Sequence, residues 1–451
     1  MNFNYVHLIG IGGSSMSGIA EYLYKSSVKV TGSDRELNHN VLKLQNLGIE
    51  VSIGHNKDNI INPDLVIYTS ATSSDNPELI EAKNKNIKTL ERAEFMGLLT
   101  KNHKESICIS GTHGKSTTSS MIALTFLEDE KDPSIQVGAV IKNINSNNRA
   151  GKSDFFILEA CEYKDQFLQF SPKVEVILNI DADHLDYFKS FENIKKSFQK
   201  YVSLIPEDGL LVLNADDENV LELKNYTKAK VITYSINNDS DYKASDISFN
   251  DEGCASFSVN NHQYNLSVKG THNVYNALAT IIVGEYYKLD PDNIKKGLES
   301  YTGVERRFEF LGTIKNNILV YDDYAHHPTE IETTYESVKK TKHNKSWAIF
   351  QPHTYSRTYE HLEEFANILK KFDNVIIATI YAAREENIYG VKEEDIVNLI
   401  KVDNPNVLHL NDFNDIENYI LENAQDGDLV ISIGAGPINK VTNNLTKKNC
   451  N

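Results

Sequence analysis

SICISGTHGKSTTSSM, residues 106–121, places a short β-branched run directly before a glycine-rich turn and a helix. The run ends at Gly111 and the helical pattern begins just after Lys115, so the glycines lie at a strand-to-helix turn. Glycines let backbone N–H groups converge on an anion, and the positive end of the helix dipole favours negative charge there. The segment predicts a phosphate-binding loop; the alternative is an ordinary glycine-rich turn without a ligand.

The residue types that follow the second glycine strengthen the phosphate-binding interpretation. Lys115 can reach a terminal phosphate, and the hydroxyl of Ser116 is placed for Mg²⁺. The spacing differs from the usual G-x-x-x-x-G-K-[ST], because two residues instead of four separate the glycines. The predicted nucleotide-binding residues are Gly111, Thr112, His113, Gly114, Lys115, Ser116 and Thr117.

Composition excludes several classes of protein. The 451 residues are 40% hydrophobic and 24% charged, which is typical of a globular chain of about three domains. A net charge of −17 argues against nucleic acid or an anionic membrane as a partner. The sequence also lacks a signal peptide pattern and any long apolar run, so we expect a cytoplasmic protein without membrane insertion. The cysteines are widely spaced, which favours neither a zinc site nor a disulfide framework: Cys108, Cys161, Cys254 and Cys450.

The N-terminus predicts a second phosphate site on a βαβ unit. An apolar strand over residues 5–11 leads into a helix over 16–24 and then a strand over 28–31 that ends near Asp34. This order is similar to the dinucleotide fingerprint G-x-G-x-x-G, but Ser15 replaces the third glycine. Three interpretations stay open: a nicotinamide or flavin site, another phosphate-bearing ligand, or a tight turn without a ligand. The candidate residues are Gly10, Gly12, Gly13 and, after the strand over 65–69, Ser70.

Two strands downstream of the phosphate loop end in acidic residues and an imidazole. The run over residues 154–160 delivers Glu159, and the run over 174–180 leads to Asp181, Asp183 and His184. Carboxyl ends of parallel strands meet at one edge of a sheet, so this pattern predicts a nucleotide–metal site. Glu159 suits Mg²⁺, whereas His184 is a less usual ligand that also suits Mn²⁺. The alternatives are a solvated carboxylate and a hydrogen-bonded structural histidine.

The rest of the chain predicts further α/β structure. Short alternating segments over residues 210–268 indicate antiparallel strands. A helix that opens at residues 270–279 carries Asn276 within it, where an amide favours a contact with a ligand such as a base edge. The last 140 or so residues alternate strands and helices, and polar residues follow the strands over 318–321, 348–350 and 429–433. The sequence therefore predicts an α/β protein whose sites lie at strand ends.

Eight segments, in chain order, resemble the motif series of the Mur ligases, the amide-forming ligases of peptidoglycan synthesis, and among them the group that adds L-alanine. They are HLIGIGGSSMSGIAEYL, SGTHGKSTT, LEACEY, NIDADHLDYF, HNVYNALA, RRFEFLG, YDDYAHHPTEI and FQPHTYSRT. The resemblance implies a Rossmann-like UDP-sugar domain over 1–102, a central P-loop-type ATPase with a mixed sheet over 103–303, and a Rossmann-like C-terminal domain over 304–451. It also implies that the N-terminal glycines bind the diphosphate of a UDP-sugar.

The same resemblance implies a reaction and a nucleotide site. ATP phosphorylates the lactyl carboxylate of UDP-N-acetylmuramate, and the amine of L-alanine attacks the acyl phosphate, which releases phosphate. Lys115 would neutralise the transferring phosphoryl group, while Ser116 and Glu159 would hold one Mg²⁺ and His184 a second. The motif has Ser116 where the family usually has threonine, which keeps the hydroxyl, and Cys161 where aspartate is common, so that position receives no role.

The remaining implied contacts are with adenine, ribose and the amino acid. Asn276 would contact the adenine and Asp323 the ribose. Arg357, with His353 and Tyr324, would position the amino acid, because a guanidinium is a two-pronged partner for its carboxylate. These assignments make Lys115, His184 and Arg357 the predicted catalytic residues, with ATP, UDP-N-acetylmuramate and L-alanine as small-molecule partners of a monomer or weak homodimer.

Three other functions compete with the L-alanine-adding ligase. One is the related ligase that attaches a tripeptide to the same UDP-sugar in peptidoglycan recycling. Another is a non-catalytic protein that binds nucleotide and sugar, which the presence of Lys115, Ser116, Glu159 and His184 disfavours. The last is a dehydrogenase, which requires that the N-terminal glycines bind a nicotinamide cofactor.

Overall fold

The computed structural model describes residues 3–250, 253–315, 317–383 and 385–448. The chain packs into two compact units. The first comprises Met1–Ile247, Phe257–Ser267 and Asn273–Thr302, and the second comprises Ser248–Ser256, Val268–His272 and Gly303–Asn451. Both units are built from parallel sheets with helices, which confirms the predicted α/β class. The predicted domain limits of 1–102, 103–303 and 304–451 stay a prediction.

The first unit begins with a five-stranded parallel sheet in the order β3-β2-β1-β4-β5. Its strands are β1 Tyr5–Ile9, β2 Lys29–Asp34, β3 Glu50–Ile53, β4 Leu65–Tyr68 and β5 Lys88–Glu91. Its helices are α1 Ser14–Lys25, α2 His39–Asn46, α3 Pro77–Asn84 and α4 Arg92–Asn102. The order reverses between β2 and β4 around β1, so the turn after β1 lies at a topological switch point, where open α/β sheets bind ligands.

An eight-stranded sheet follows in the same unit, in the order β13-β12-β11-β10-β6-β9-β7-β8. Its strands are β6 Glu105–Ser110, β7 Ser134–Ile141, β8 Ser146–Arg149, β9 Phe155–Glu159, β10 Val174–Ile177, β11 Leu210–Asn214, β12 Lys230–Ser235 and β13 Tyr242–Lys243. The helices are α5 Lys115–Glu128, α6 Leu185–Phe188, α7 Phe191–Val202, α8 Glu218–Leu221, α9 His272–Tyr286 and α10 Pro291–Ser300. The β7–β8 pair is antiparallel, so the sheet is mixed as predicted.

The prediction of antiparallel strands over residues 210–268 is wrong for its first half. β11 pairs in parallel with β10, β12 with β11, and β13 with β12. A short apolar run such as β11 carries no mark of direction, so its pairing is set by the sheet that it joins. The second half of that range forms a separate three-stranded sheet in the order β14-β15-β16, with β14 Ser245–Phe249, β15 Cys254–Val259 and β16 His262–Lys269. Asn260 and Asn261, both with positive φ, join β15 to β16 as in a two-residue hairpin.

One apolar core joins the two sheets of the first unit. Buried residues of β1, α1 and α4 belong to the same cluster as residues of β9, β10 and α7. Gly97 of α4 lies so close to the backbone of Gln169 that an added Cβ would be 2.2 Å from its carbonyl oxygen. A side chain at this position therefore has no room, because α4 packs closely on the 3₁₀ segment Tyr163–Gln169 that follows β9.

The second unit contains a six-stranded sheet in the order β17-β18-β22-β19-β20-β21, parallel except for β17. Its strands are β17 Glu309–Ile314, β18 Ile318–Asp323, β19 Ser346–Phe350, β20 Asn374–Ala378, β21 Val407–Leu410 and β22 Leu429–Ile433. Its helices are α11 Pro328–Lys340, α12 Tyr355–Glu360, α13 Leu362–Leu369, α14 Glu393–Lys401, α15 Phe413–Asn423 and α16 Asn439–Lys448. Polar residues follow β18 and β19, as predicted, whereas β22 is followed by Gly434, Ala435, Gly436 and Pro437.

The described part of the chain contains no helix that is both long and apolar enough to cross a membrane. The described cysteines, Cys108, Cys161 and Cys254, are free thiols. Cys450 lies outside the described residues.

A buried carboxylate stabilises the first sheet. Glu78 at the start of α3 is fully buried and accepts hydrogen bonds from Ser33 Oγ at 2.5 Å and from the Asn59 amide. The Nε2 atom of His7 lies 3.7 Å away and Nδ1 of His55 lies 3.3 Å away. Burial raises the pKa of Glu78, but these partners lower it more, to about 2.

We expect Glu78→Gln to remove a pH-dependent part of the stability. Because the pKa of Glu78 is depressed, its contribution is complete above its ordinary pKa of 4.5 and is lost as the pH falls toward 2. The contribution is about 3 kcal/mol at neutral pH. Urea unfolding at several pH values between 7 and 3 measures this. The difference in the free energy of unfolding between wild type and variant should become smaller as the pH falls. Glu81→Gln, which alters a partly exposed pair with Lys85, serves as the control. A difference in unfolding free energy that stays constant with pH for Glu78→Gln would contradict the expectation.

Candidate active site

The predicted phosphate-binding loop, called the phosphate loop below, lies between β6 and α5, where the sequence places it. Gly111 and Gly114 have φ values of 127° and 86°, in the left-handed region that favours glycine. An added Cβ on Gly111 would lie 3.0 Å from the backbone nitrogen and oxygen of Asn179. Ser116 is buried in the first turn of α5, close to the N-terminal dipole of a 14-residue helix. The loop conformation thus depends on both glycines.

Lys115 is folded back into its own loop. Its Nζ atom donates to the carbonyl oxygen of Gly111 and, at 3.0 Å, to that of Thr112, and it lies 3.2 Å from a carboxylate oxygen of Glu162. Burial opposes the charge on Lys115, but the Glu162 carboxylate outweighs it and raises the pKa of the lysine. Lys115 is therefore a charged group at neutral pH, held beside the loop that it was predicted to serve.

Glu162 is a residue whose role the sequence did not reveal. Its carboxylate is buried and lies between Lys115 and His184, whose Nε2 atom is 4.0 Å from Oε1. The structure therefore places two predicted catalytic residues around one carboxylate. The acidic residue next to Cys161 was visible in the motif LEACEY, but burial alone distinguishes it from a solvated carboxylate.

Asn179 fixes the shape of the phosphate loop and was not predicted to do so. Its Oδ1 atom accepts from the backbone N–H of His113 at 2.8 Å, and its Nδ2 atom donates to the carbonyl oxygen of the same residue at 3.0 Å. Its own carbonyl oxygen accepts from the Thr112 N–H at 3.2 Å. The partners lie 66 residues apart in the sequence, so no local pattern indicates this clamp.

Glu159 ends β9 at the carboxyl edge of the sheet, as predicted. One carboxylate oxygen accepts from the backbone N–H of Gly138 on β7 at 2.6 Å. The Glu159 carboxylate also contributes to the raised pKa of Lys115, so the two side chains share one electrostatic environment. A carboxylate at a strand end and the hydroxyl of Ser116 are oxygen donors of the kind that Mg²⁺ prefers, and the residues present fit that ion.

His184 has a strained backbone conformation. Its φ of 57° lies in the left-handed region, and it precedes the short helix α6. Its ring packs against Tyr163 in a tilted contact, with centroids 4.5 Å apart and an interplanar angle of 36°. Asp165, itself at positive φ, accepts from Ser197 and from Tyr187, so the turn after Glu162 is tied to α6 and α7.

Asn276 joins α9 to α5. Its Oδ1 atom accepts from Thr118 Oγ1 at 3.1 Å, and its Nδ2 atom donates to Asn273 at 3.0 Å. An added Cβ on Gly114 would lie 3.0 Å from Oδ1, so the amide borders the phosphate loop. These contacts explain an amide inside the helix by packing, and the adenine contact stays a prediction.

The N-terminal glycine turn lies between β1 and α1. Gly10 has a φ of 78°, and its N–H donates to the carbonyl oxygen of Ser33 at 2.8 Å. The N–H of Gly12 donates to the Asp34 carboxylate at 2.8 Å, so the acidic residue of the fingerprint binds the turn itself. Gly13 precedes the first residue of α1, and Ser70 is exposed in the turn after β4. Binding of a diphosphate here stays a prediction.

In the second unit Asp323 is buried at the end of β18. Its carboxylate accepts from Thr334 Oγ1 at 2.7 Å and from the N–H of Ala325 at 3.2 Å. Burial raises the pKa of Asp323 to about 6, and Arg307 and these hydrogen bonds oppose the rise only in part. Buried carboxylates with a raised pKa often lie at functional sites. The contact of Asp323 with ribose stays a prediction.

Arg357, His353 and Tyr324 lie after strands of the second unit. One terminal nitrogen of Arg357 in α12 is 3.3 Å from Nδ1 of His353, and the rings of His353 and His326 are 5.9 Å apart. Tyr324 and His326 make an edge contact at 5.4 Å. The structure thus brings Arg357 and His353 together directly, and Tyr324 through His326.

Arg306 has a structural role that the sequence did not indicate. Its guanidinium donates to Asp322 at 3.0 Å and to the carbonyl oxygens of Gly434 and Gly436, and it lies 4.8 Å from the centre of the Tyr324 ring. It therefore fixes the exits of β18 and β22. Arg306 belongs to the motif RRFEFLG, but its partners after β22 lie more than 100 residues further along the chain, so the motif did not indicate them.

Three family models match successive parts of the chain. The model described as "Mur ligase family, catalytic domain" matches residues 5–104, "Mur ligase middle domain" matches 109–284, and "Mur ligase, glutamate ligase domain" matches 306–436. Together they cover most of the sequence.

Curated relatives match over nearly the full length. The UDP-N-acetylmuramate--L-alanine ligase of Clostridium botulinum (strain Okra) is 47% identical over 442 residues, which are 97% of this chain and 96% of that protein. The protein of the same name from Acetivibrio thermocellus is 45% identical and covers 97% of this chain and 95% of its own length. The crystal structure of UDP-N-acetylmuramate-alanine ligase from Thermotoga maritima has a TM-score of 0.84 at 27% identity and covers 98% of both chains. A murein peptide ligase from Psychrobacter arcticus, 24% identical with a TM-score of 0.72 over 98% of both chains, shares the fold.

Proposed function

The chain belongs to the Mur ligase family, and from this premise we propose that it joins L-alanine to the lactyl carboxylate of UDP-N-acetylmuramate with hydrolysis of ATP to ADP and phosphate. The observation that carries the proposal is identity of 45–47% over 97% of the chain with curated relatives of that name. The cluster of Lys115, Glu162 and His184 supports it, because a protein that only binds nucleotide has no need of this arrangement.

The reaction requires that a poor leaving group be replaced. A free carboxylate does not react with an amine, because oxide would have to leave; transfer of the γ-phosphoryl group of ATP makes phosphate the leaving group instead. Lys115 supplies positive charge for the transferring phosphoryl group once its ammonium turns from the loop carbonyls to the nucleotide. Glu162 remains as the counter-ion that keeps this lysine protonated.

A divalent cation would be held by Ser116 and Glu159, and His184 would serve a second ion. When bound, Mg²⁺ neutralises charge on phosphate oxygens, and Mn²⁺ offers the same charge with better tolerance of an imidazole ligand. Gly138 orients Glu159 by its hydrogen bond, and Tyr163 packs against the ring of His184.

The amino acid is assigned to the second unit. The guanidinium of Arg357 would bind the carboxylate of L-alanine through two parallel hydrogen bonds, with His353 fixing one edge of the guanidinium. The chemistry of this contact favours a single α-amino acid, whose carboxylate is one carbon from the amine.

Release of ADP measured against a panel of acceptors tests the proposal. With purified protein, ATP, Mg²⁺ and UDP-N-acetylmuramate, L-alanine should give the fastest ADP release among L-amino acids and L-alanyl-γ-D-glutamyl-diaminopimelate. Faster release with the tripeptide would assign the chain to peptidoglycan recycling. Saturable binding of NADH without binding of UDP-N-acetylmuramate would contradict the ligase proposal and favour a dehydrogenase.

We expect Glu159→Gln to raise the Mg²⁺ requirement sharply. Removal of a residue that only supports a metal ligand typically weakens metal binding by roughly 10- to 100-fold. Loss of a carboxylate that itself contacts the ion should therefore raise the Mg²⁺ concentration for half-maximal turnover by at least as much. Titration of activity with Mg²⁺ at saturating ATP measures this. Glu128→Gln, at the opposite end of α5, is the matched control and should leave the requirement unchanged. An unaltered requirement in Glu159→Gln would mean that the carboxylate is only structural.

A further inference from the structure

Asp165 is the second of two consecutive residues with a left-handed backbone. Lys164 and Asp165 have φ values of 55° and 57° and lie in the 3₁₀ segment Tyr163–Gln169. Residues other than glycine keep this conformation only where the surrounding structure holds them in it. The N–H of Asp165 donates to the carbonyl oxygen of Glu162 at 2.9 Å. The turn therefore closes directly on the residue that pairs with Lys115.

The carboxylate of Asp165 joins this turn to two helices. Its Oδ2 atom accepts from the hydroxyl of Tyr187 in α6 at 2.7 Å, and its Oδ1 atom accepts from Ser197 in α7. These partners lie 22 and 32 residues further along the chain. The hydrogen bond to Asp165 raises the pKa of Tyr187 to about 12, so the hydroxyl remains a donor throughout the neutral range. Both carboxylate oxygens thus hold distant segments together.

The elements that Asp165 joins border His184 on both sides. The N–H of Tyr187 donates to the carbonyl oxygen of His184 at 3.0 Å. The ring of Tyr163 lies 4.5 Å from the centre of the His184 ring and 6.2 Å from that of Tyr187. His184 itself has a φ of 57°, so its backbone also depends on the contacts around it. The orientation of the imidazole therefore depends on how the turn and α6 are held relative to each other.

We propose that Asp165 is a positioning residue for His184, because it joins the turn that carries Tyr163 to α6 and so holds the imidazole in the orientation that a second divalent cation requires. The inference rests on the proposed function, since it takes His184 as the ligand of that cation. Residues that support a metal-binding histidine usually bond to its ring. Asp165 acts instead through Tyr163 and Tyr187, on either side of the ring.

Chemical modification of His184 measures how firmly the ring is held. The full chain, without metal or nucleotide, is treated with diethylpyrocarbonate, and the rate at His184 is followed by peptide mass spectrometry. The side chain of His184 is 24% exposed. Asp165→Ala should raise this rate by about 10-fold, the lower end of what loss of a hydrogen bond to a charged group produces. Tyr187→Phe should raise it less, and the rate at the exposed His262 should not change.

Binding of Mn²⁺ tests the consequence for the cation. Electron paramagnetic resonance gives the affinity in the presence of UDP-N-acetylmuramate and a non-hydrolysable ATP analogue. Asp165→Ala should weaken the site that His184→Ala removes by about 10- to 100-fold, the loss typical of a residue that supports a metal ligand. In steady-state assays the same variant should lower kcat and leave the KM for UDP-N-acetylmuramate nearly unchanged.

Two further variants separate positioning from stability. Tyr242→Phe is the matched control, because the Tyr242 hydroxyl also donates to a carboxylate, that of Glu285, in the same unit. It should change neither the modification of His184 nor the affinity for Mn²⁺. Asp165→Asn tolerates the left-handed backbone and keeps one acceptor oxygen. It should therefore fold even if Asp165→Ala does not, and its effects should be intermediate.

Unchanged modification of His184 and unchanged Mn²⁺ affinity in folded Asp165 variants would overturn the inference and leave the ligase proposal intact. A loss of turnover without either change would mean that Asp165 is only structural, which also overturns it. If the wild-type protein releases no ADP with UDP-N-acetylmuramate and L-alanine, the proposed function itself fails and the inference with it.

Discussion

Lys115→Ala is expected to reduce ATP-dependent ligation by about 10³-fold or more while binding of the UDP-sugar stays nearly unchanged. The lysine lies in the loop between β6 and α5, whereas the glycine turn lies after β1 on the other sheet of the same unit. Loss of the ammonium removes the positive charge on which transfer of the phosphoryl group depends. Steady-state ADP release measures turnover, and calorimetry with UDP-N-acetylmuramate measures binding.

The structure adds a second consequence of this substitution. Glu162 is 4% exposed at its side chain and pairs with Lys115, so alanine would leave a buried carboxylate whose remaining ion-pair partner, among the described residues, is His184. Breaking a buried pair by removing one partner costs about 3 kcal/mol or more. Lys115→Ala should therefore also lower the midpoint of thermal unfolding.

A double variant distinguishes the catalytic loss from the loss of stability. Lys115→Ala combined with Glu162→Gln removes the unpaired charge and should regain much of the stability, yet it should remain inactive. If the double variant recovers turnover together with stability, the lysine is a structural residue and the role assigned to the loop is wrong.

The sequence predicted the parts of this fold that local patterns encode. Buried strands were located within a few positions: the run predicted over 154–160 is β9 Phe155–Glu159, and the run over 429–433 is β22 Leu429–Ile433. The reason is that a buried parallel strand is a continuous apolar run with a sharp polar end. The glycine-rich turn between β6 and α5 was equally visible, because glycines and a lysine between an apolar run and a helical pattern indicate a strand-to-helix turn.

Contacts between distant segments could not be predicted in the same way. The clamp of Asn179 on His113 spans 66 residues, and the bond from Thr118 to Asn276 spans 158. Side-chain partners of this kind are fixed by the order of strands in the sheet, which periodicity does not contain. The parallel direction of β11 and β12 was missed for the same reason.

Burial also decides the state of charged groups in a way that composition cannot show. Glu162 and Arg92 lie in ordinary-looking polar motifs, yet Glu162 is a buried counter-ion and Arg92, the first residue of α4, is a cation that donates to two neutral side chains. Asp323 has a pKa raised to about 6 because it is buried, not because of its neighbours in the sequence. The chemistry of these residues follows from packing.

Arg357→Lys is expected to raise the KM for L-alanine by about 10- to 100-fold and the KM for ATP far less. Lysine keeps the charge but loses the planar fork, and with it one of two parallel hydrogen bonds to the amino-acid carboxylate. The contact of Arg357 with Nδ1 of His353 at 3.3 Å orients that fork, and an ammonium cannot reproduce it. Initial rates at varied L-alanine and varied ATP separate the two constants. Lys370→Arg, a charge-conserving change in a surface pair with Asp403, should alter neither.

The same contact predicts the order of acceptors. If Arg357 binds the carboxylate next to the amine, the amino-acid pocket must be short. Glycine should then lose about 1 to 3 kcal/mol of transition-state binding, which is the contribution of one methyl group. L-serine should react slowly but measurably. In a tripeptide the carboxylate nearest the amine is part of a peptide bond, so Arg357 meets no charge at that distance and ADP release should stay at background. Arg357→Lys should therefore narrow the preference for L-alanine over the tripeptide. A variant that lowers ADP release equally with every acceptor would show that Arg357 acts on the nucleotide or the fold, and not on the carboxylate of the incoming amino acid.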